Sequence, residues 1–132
     1  MTTELTMLAY ATILLFVLVL IQATAGVRAQ GLKAQTGSRD NLPEPGVFQA
    51  RAKRTVDNHR EGLTIFAPLV LVAALAHVSG SWTAIGAQLF FYSRVAHAVT
   101  YLAGWPVVRP LIYGVGVAGI VMIMARLLGL GA

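Results

Sequence analysis

Two groups of polar side chains in this 132-residue chain have the types and the spacing to bind a small charged molecule. Arg51, Arg54, Asn58 and Glu61 follow one another at intervals of three, four and three residues. On a helix of 3.6 residues per turn they form one continuous stripe. Guanidinium groups bind carboxylates through paired hydrogen bonds, and the carboxylate of Glu61 suits an ammonium group. The stripe therefore predicts a ligand with several negative charges and one ammonium group.

A second helix face carries Arg94, His97 and Tyr101, spaced by three and four residues inside an apolar segment. An ionised Arg within a membrane costs several kcal/mol unless it is paired or hydrated. Glu61 is the predicted partner of Arg94, and a purely structural tie between the two helices is an open alternative. Arg109 lies just past this segment and would add a further guanidinium to the same pocket.

Such a pocket would activate a thiol. A free thiol has a pKa near 8.5, cationic neighbours lower it, and the thiolate is the nucleophile. A metal site is not predicted, because the chain has no cysteine and no second His or acid lies at ligand spacing beside His97. The simpler alternatives are that His97 is a packing residue and that Tyr101 anchors the helix at the membrane interface.

The elements that must position these residues are membrane helices. Hydrophobic residues make up 57% of the chain and charged residues 11%, whereas soluble domains carry about a quarter charged residues. The segment from Leu5 to Val27 has no charge and is long enough to span a bilayer. A cleaved signal peptide is the alternative, but Glu4 precedes the segment and no Lys or Arg does, opposite to a signal peptide's basic start.

We predict an all-α integral membrane protein with a single domain, residues 1–132, built as a bundle of four transmembrane helices. Pro43, Pro45 and Gly46 stop one helix before another begins, and Pro68 is expected to kink the second span. Gly104, Trp105 and Pro106 end the third span. The predicted segments are spans at 5–27, 60–78, 82–103 and 107–130, with a connection and helical stalk at 28–59.

The basic residues set the predicted orientation. Seven of the ten lie on the first connection, its stalk or the first residue of the second span: Arg28, Lys33, Arg39, Arg51, Lys53, Arg54 and Arg60. Arg109 lies on the third connection, on the same side of the membrane. The positive-inside rule places these two basic connections in the cytoplasm and both termini outside. The net charge of +5 is thus a topology signal, and no nucleic-acid partner is predicted because no reader motif accompanies it. Lys53, Asp57 and Arg60 are expected to form a solvated face with helix-supporting ion pairs.

The pattern R-x-x-x-N-x-x-E, formed by Arg54, Asn58 and Glu61, stands at the start of the second span. The stretch FFYSRVAHAVTYLAGWPVVR follows in the third and contains Arg94 and Tyr101. Together with the four spans, these features resemble the MAPEG family, the membrane-associated proteins in eicosanoid and glutathione metabolism. The compact chain is most similar to bacterial members and to microsomal glutathione transferases.

The resemblance implies a homotrimer of four-helix protomers in a bacterial inner membrane. It also implies that glutathione binds between neighbouring protomers, near the cytoplasmic side, as a co-substrate and without a metal. Arg109 matches the residue that stabilises the thiolate and is the predicted catalytic residue. The predicted ligand-binding residues are Arg54, Asn58, Glu61, Arg94, His97, Tyr101, Arg51 and Arg28.

The sequence and the resemblance are compatible with three functions. The leading one is an enzyme that transfers glutathione to lipophilic electrophiles or reduces lipid hydroperoxides. The second is a non-catalytic membrane trimer that binds a lipid or a partner, favoured slightly by Gly62, which stands where leukotriene-type members have Tyr. The third is a small transporter or channel subunit, disfavoured because the polar faces cluster on one side and no inverted repeat is visible.

Overall fold

In the computed structural model, which describes residues 1–105 and 107–132, every regular element is an α-helix. The five helices are α1 (Thr3–Gln30), α2 (Leu32–Thr36), α3 (Val47–Leu75), α4 (Ser81–Ala103) and α5 (Arg109–Leu127). The predicted all-helical class is therefore confirmed. Two of the helices, α1 and α5, are long and apolar enough to cross a membrane.

The helix ends follow from local chemistry. Thr2 caps α1, because its Oγ1 accepts a hydrogen bond from the backbone N–H of Leu5 at 3.2 Å. Gly104 ends α4 with a φ of +78°, a left-handed conformation that costs glycine little. Pro110 fits the first turn of α5 because a helix start needs no backbone N–H there. Pro106, part of the predicted stop after α4, lies outside the described residues.

Several helix bounds differ from the predicted spans, and α1 extends beyond the predicted 5–27 at both ends. The first connection contains the short helix α2, where only irregular chain was expected. α3 ends at Leu75, three residues before the predicted end of the span, and His77 turns the chain with a φ of +56°. α5 begins at Arg109 and ends at Leu127, so it is shorter than predicted at both ends.

The core joins α1, α3, α4 and α5. The rings of Phe66 and Phe90 stack with centroids 4.1 Å apart. α4 and α5 touch backbone to backbone, since a Cβ on Gly86 would lie 2.5 Å from the carbonyl oxygen of Gly119. Such close packing of small residues is how helices associate in lipid. Large apolar side chains such as Phe16, 64% exposed, cover the outer surface, as expected of a surface solvated by lipid tails.

Two buried polar contacts hold α1. The carboxylate of Glu4 accepts hydrogen bonds from Ser79 Oγ at 2.9 Å, just before α4, and from Thr83 Oγ1 in the first turn of α4. Nearly two turns further on, the carbonyl oxygen of Ala11 lies 2.8 Å from Nε2 of His59 on α3. A carbonyl can only accept, so His59 carries its proton on Nε2.

Candidate functional site

The predicted polar stripe on α3 lies beside the buried face of that helix. Asn58 is half-buried, while Arg54 and Glu61 are exposed. The face that packs against the rest of the chain contains Ala52, Val56, His59, Leu63 and Phe66. The apolar stripe one step around the helix is the one that packs against the rest of the chain. Arg54 and Glu61 instead present their charges on the lateral surface of the bundle.

Arg94 is buried, with 4% of its surface exposed, and it reaches across from α4 to α3. Its Nη1 donates a hydrogen bond to Oδ1 of Asn58. The rings of Tyr113 and Phe90 lie 5.8 and 6.0 Å from its guanidinium carbon. Aromatic faces attract a cation most strongly when water is excluded. Burial and an amide partner therefore hold the Arg94 guanidinium in one position.

The predicted pairing of Arg94 with Glu61 is not present among the described residues, where Glu61 forms no salt bridge within 4 Å. The reason is geometric, since Glu61 lies about one turn beyond Asn58 and is exposed. Asn58 faces α4 and satisfies part of the guanidinium. The Nε of Arg94 is buried and has no partner within residues 1–105 and 107–132.

Arg94, Asn58 and Glu61 nevertheless line one cavity between α3, α4 and α5, with a volume of about 90 Å³. Gly62 also lines it and allows the two helices to approach. A Cβ on Gly62 would lie 3.3 Å from the Phe90 ring. Any side chain larger than hydrogen at this position would therefore require the Phe90 ring to shift slightly.

A second part of the predicted site forms where α4 ends and α5 begins. The guanidinium of Arg109 lies 4.5 Å from the centre of the Tyr101 ring, a cation–π contact. The ring of His97, which is buried, lies 5.5 Å from that of Tyr101. The turn between α4 and α5 thus brings Tyr101 and Arg109 into contact. Arg94, His97, Tyr101 and Arg109 follow one another along one side of the bundle.

Of the remaining predicted ligand-binding residues, Arg51 reaches the end of α4, whereas Arg28 and Arg54 lie apart from these groups. The guanidinium of Arg51 packs against Gly104, so that a Cβ there would lie 2.9 Å from its central carbon. Arg28 is exposed near Phe48, in a shallow cavity on the other side of α1. Arg54 makes no side-chain hydrogen bond or salt bridge in the part of the chain that the structure describes. One chain thus brings together some of the predicted residues and leaves the others on its surface.

The solvated face of the stalk is as predicted. Lys53 Nζ lies 2.7 Å from Oδ2 of Asp57, and Arg60 Nη1 lies 3.9 Å from Oδ1 of the same residue. All three side chains are about half exposed or more. Exposed pairs of this kind stabilise a helix by only a few tenths of a kcal/mol.

His59 is the buried polar residue that the sequence analysis did not single out. It is 2% exposed, and its Nδ1 has no partner among the described residues. The signal was present in the sequence, since His59 continues the apolar spacing of Ala52, Val56, Leu63 and Phe66. Its hydrogen bond to the carbonyl of Ala11 joins α1 to α3, the helix that carries Asn58, and so helps to fix the position of α3.

The arrangement can bind anions and an ammonium group. It offers a fixed guanidinium, an amide, a carboxylate and a further guanidinium stacked on an aromatic ring. Within residues 1–105 and 107–132, no three His, Asp or Glu side chains are grouped to hold a metal ion.

Comparison with known protein families gives a match. The model of the MAPEG family matches residues 7–129, nearly the whole chain. No curated protein and no solved structure matches the chain.

Proposed function

The chain belongs to the MAPEG family, whose members are membrane-associated, and on that premise we propose that it is a glutathione-dependent transferase or peroxidase. Its substrates would be lipophilic electrophiles or lipid hydroperoxides dissolved in the membrane. One observation carries the proposal: Asn58, Glu61 and Arg94 meet around one cavity. A tripeptide with two carboxylates and one ammonium group matches the charges of these residues and of Arg54.

Each residue has a role in this proposal. Arg54 and Arg94 bind carboxylates of the tripeptide, Glu61 binds its ammonium group, and Asn58 fixes the orientation of Arg94. Arg109 lies beside the thiol and lowers its pKa, so that the proton leaves to solvent. The thiolate then forms a carbon–sulfur bond as the leaving group departs. With a hydroperoxide, two thiols are oxidised to a disulfide while the O–O bond is reduced to an alcohol and water.

The proposed active form is a homotrimer of four-helix protomers, each spanning the membrane four times. The cavity of about 90 Å³ is well below the roughly 300 Å³ of a pocket that encloses a small organic ligand. Arg28, Arg54 and Glu61 are exposed on one chain. A neighbouring copy that covers these charges would enlarge the site and complete it.

The proposed location is a bacterial inner membrane, with both connections in the cytoplasm and both termini outside. The basic residues of the first connection support this orientation. Reporters fused to the C-terminus test it, and we expect an outside reporter to be active and a cytoplasmic one inactive. The reverse pattern would refute the orientation.

The thiolate absorbance of glutathione added to the purified protein at neutral pH tests the function. We expect Arg109→Ala to remove the thiolate signal while binding persists. Arg54→Ala should weaken binding by about 10- to 100-fold, the value of one charged hydrogen-bonded contact of roughly 1.5–3 kcal/mol. Arg60→Ala, on the solvated face, is the matched control and should behave as the wild type.

The outcomes separate the roles. A wild-type protein that neither binds glutathione nor forms a thiolate would refute the enzyme. If Arg54→Ala and Arg60→Ala weaken binding equally, the stripe on α3 is not the binding surface.

The second candidate is a non-catalytic membrane trimer that binds a lipid or a partner. The buried bond between Asn58 and Arg94 favours it, since that bond stabilises the bundle without any ligand. In that case glutathione should bind to neither the wild type nor the variants, while the trimer stays intact in detergent.

A further inference from the structure

A second cavity, of about 590 Å³, lies between α1, the first connection and the start of α3. Its apolar wall comes from Val19 and Ala23 of α1, with Gln22 beside them. Its polar wall comes from the connection and from Gln49. This cavity shares no lining residue with the smaller cavity around Asn58, Glu61 and Arg94. The cavity therefore lies where the apolar helix α1 meets the basic connection, the level of lipid headgroups.

An amide network among the residues that line this cavity leaves one acceptor unused in the described part of the chain. The Oε1 of Gln30 accepts hydrogen bonds from Nε2 of Gln49, at 2.9 Å, and from Nε2 of Gln35. The Nε2 of Gln30 donates in turn to the carbonyl oxygen of Pro43. The Oε1 of Gln49 is buried and has no partner in the described part of the chain. A buried acceptor of this kind requires a donor, an N–H or O–H group.

The charges around the cavity match a ligand with one positive and one negative group. Lys53 already pairs with Asp57 at 2.7 Å. Arg39 uses its Nε to donate to the carbonyl oxygen of Gln35 at 2.8 Å, and no other side-chain bond of Arg39 is formed among the described residues. Glu44 forms no salt bridge in that same part of the chain. One guanidinium and one carboxylate thus remain to face a ligand.

The apolar residues of α1 indicate where the rest of such a ligand would lie. Phe16, Val19 and Ala23 share one face of α1, and all three are exposed. This apolar face extends from the cavity along the helix, away from the basic connection. It suits an acyl chain lying along α1, and pockets with basic residues on the cytoplasmic side of membrane helices bind lipid headgroups.

We propose that this cavity binds the headgroup of a phospholipid that carries a phosphate and a primary ammonium group, as in phosphatidylethanolamine. The terminal nitrogens of Arg39 bind the phosphate. Glu44 and the Oε1 of Gln49 accept N–H bonds from the ammonium, and the acyl chains follow Val19 and Phe16. The site requires only that the protein lies in a membrane, and it is independent of thiol chemistry at Arg109.

Lipid titration of the delipidated full-length protein in mixed micelles tests the proposal, with thermal unfolding followed by tryptophan fluorescence. Phosphatidylethanolamine should stabilise the protein with an affinity at least about tenfold above that of phosphatidylcholine with the same acyl chains. Choline has no N–H and would leave Gln49 unpaired. Equal affinities of the wild-type protein for the two lipids would overturn the proposal. Tighter binding of phosphatidylglycerol than of phosphatidylethanolamine would overturn it as well.

Matched variants locate the site. Glu44→Gln and Gln49→Met should each reduce the preference for phosphatidylethanolamine by about fivefold or more. Asp40→Asn, an exposed acid of the same connection that does not line the cavity, is the control and should keep the preference. If Glu44→Gln and Asp40→Asn behave alike, the ammonium does not bind at Glu44 and the proposal fails.

Two soluble competitors distinguish the remaining ligands. O-phosphoethanolamine, which lacks acyl chains, should not stabilise the protein at the concentration at which the lipid saturates it; if it does, the ligand is a free zwitterion and no lipid. Saturating glutathione should leave the lipid titration unchanged, and competition would show that the cavity belongs to the thiol site. A protein that selects phosphatidylethanolamine but forms no thiolate would retain this inference while refuting the proposed enzyme.

Discussion

Removing the amide of Asn58 leaves the buried guanidinium of Arg94 without its side-chain partner. Arg94 is 4% exposed, and the bond from its Nη1 to Asn58 is its only side-chain hydrogen bond among the described residues. Hydrogen bonds to charged groups are worth about 1.5–3 kcal/mol. We therefore expect Asn58→Ala to lower the free energy of unfolding by about 2 kcal/mol, close to a 30-fold change in the folding equilibrium.

The same substitution should have little effect when the charge is absent. In an Arg94→Met background no guanidinium is left unpaired, so Asn58→Ala should cost less than about 1 kcal/mol. The double-mutant cycle should give a coupling energy above roughly 1 kcal/mol. Unfolding in dodecyl sulfate mixed micelles, followed by the fluorescence of Trp82 and Trp105, measures all four proteins. Equal costs in the two backgrounds would show that the bond does not stabilise the bundle.

Three further predictions concern the neighbouring contacts. Tyr101→Phe keeps the ring under Arg109 and should retain the glutathione thiolate signal, whereas Tyr101→Leu should reduce it severalfold because the cation–π contact is lost; similar signals from both variants would contradict that role. Gly86→Leu should disrupt the contact of α4 with the Gly119 backbone and lower the free energy of unfolding in micelles by more than about 2 kcal/mol, with Gly114→Leu, at an open position, as the control. Lys53→Ala should change the same free energy by less than about 0.5 kcal/mol, because its ion pair is exposed; a larger loss would show that this face is buried in the assembly.

Periodicity and helix-ending residues predicted most of the fold. The uncharged run of α1 and the stop at Gly104 each follow from local properties of the chain. The helix α2 was missed because its five residues carry no apolar periodicity. The ends of α3 and α5 depend on how the chain turns into its neighbours, which apolar composition alone does not determine.

The site was harder to predict than the fold. The spacing of residues shows that they share one face of a helix, but it does not show whether that face packs against the other helices. Arg54, Asn58 and Glu61 do share one side of α3, but the apolar stripe beside them is the side that is buried. The partner of Arg94 is set by which α3 side chain its guanidinium can reach from α4. Asn58 faces α4 and accepts the hydrogen bond from Arg94, whereas Glu61 does not. The contact of Tyr101 with Arg109 depended on the path of the chain between α4 and α5, which no helical spacing describes.

The polar contacts of α1 limit how that helix can move. Glu4 bonds to Ser79 and Thr83, and Ala11 bonds to His59, so both contacts lie in the first third of the helix. Sliding α1 along the bundle would break these hydrogen bonds, and swinging its other end aside would break the bonds that Gln30 forms with Gln49 and Pro43. Hydrogen bonds therefore hold α1 near both ends, and we expect its motion to be confined to bending of the apolar stretch between Ala11 and Gln30.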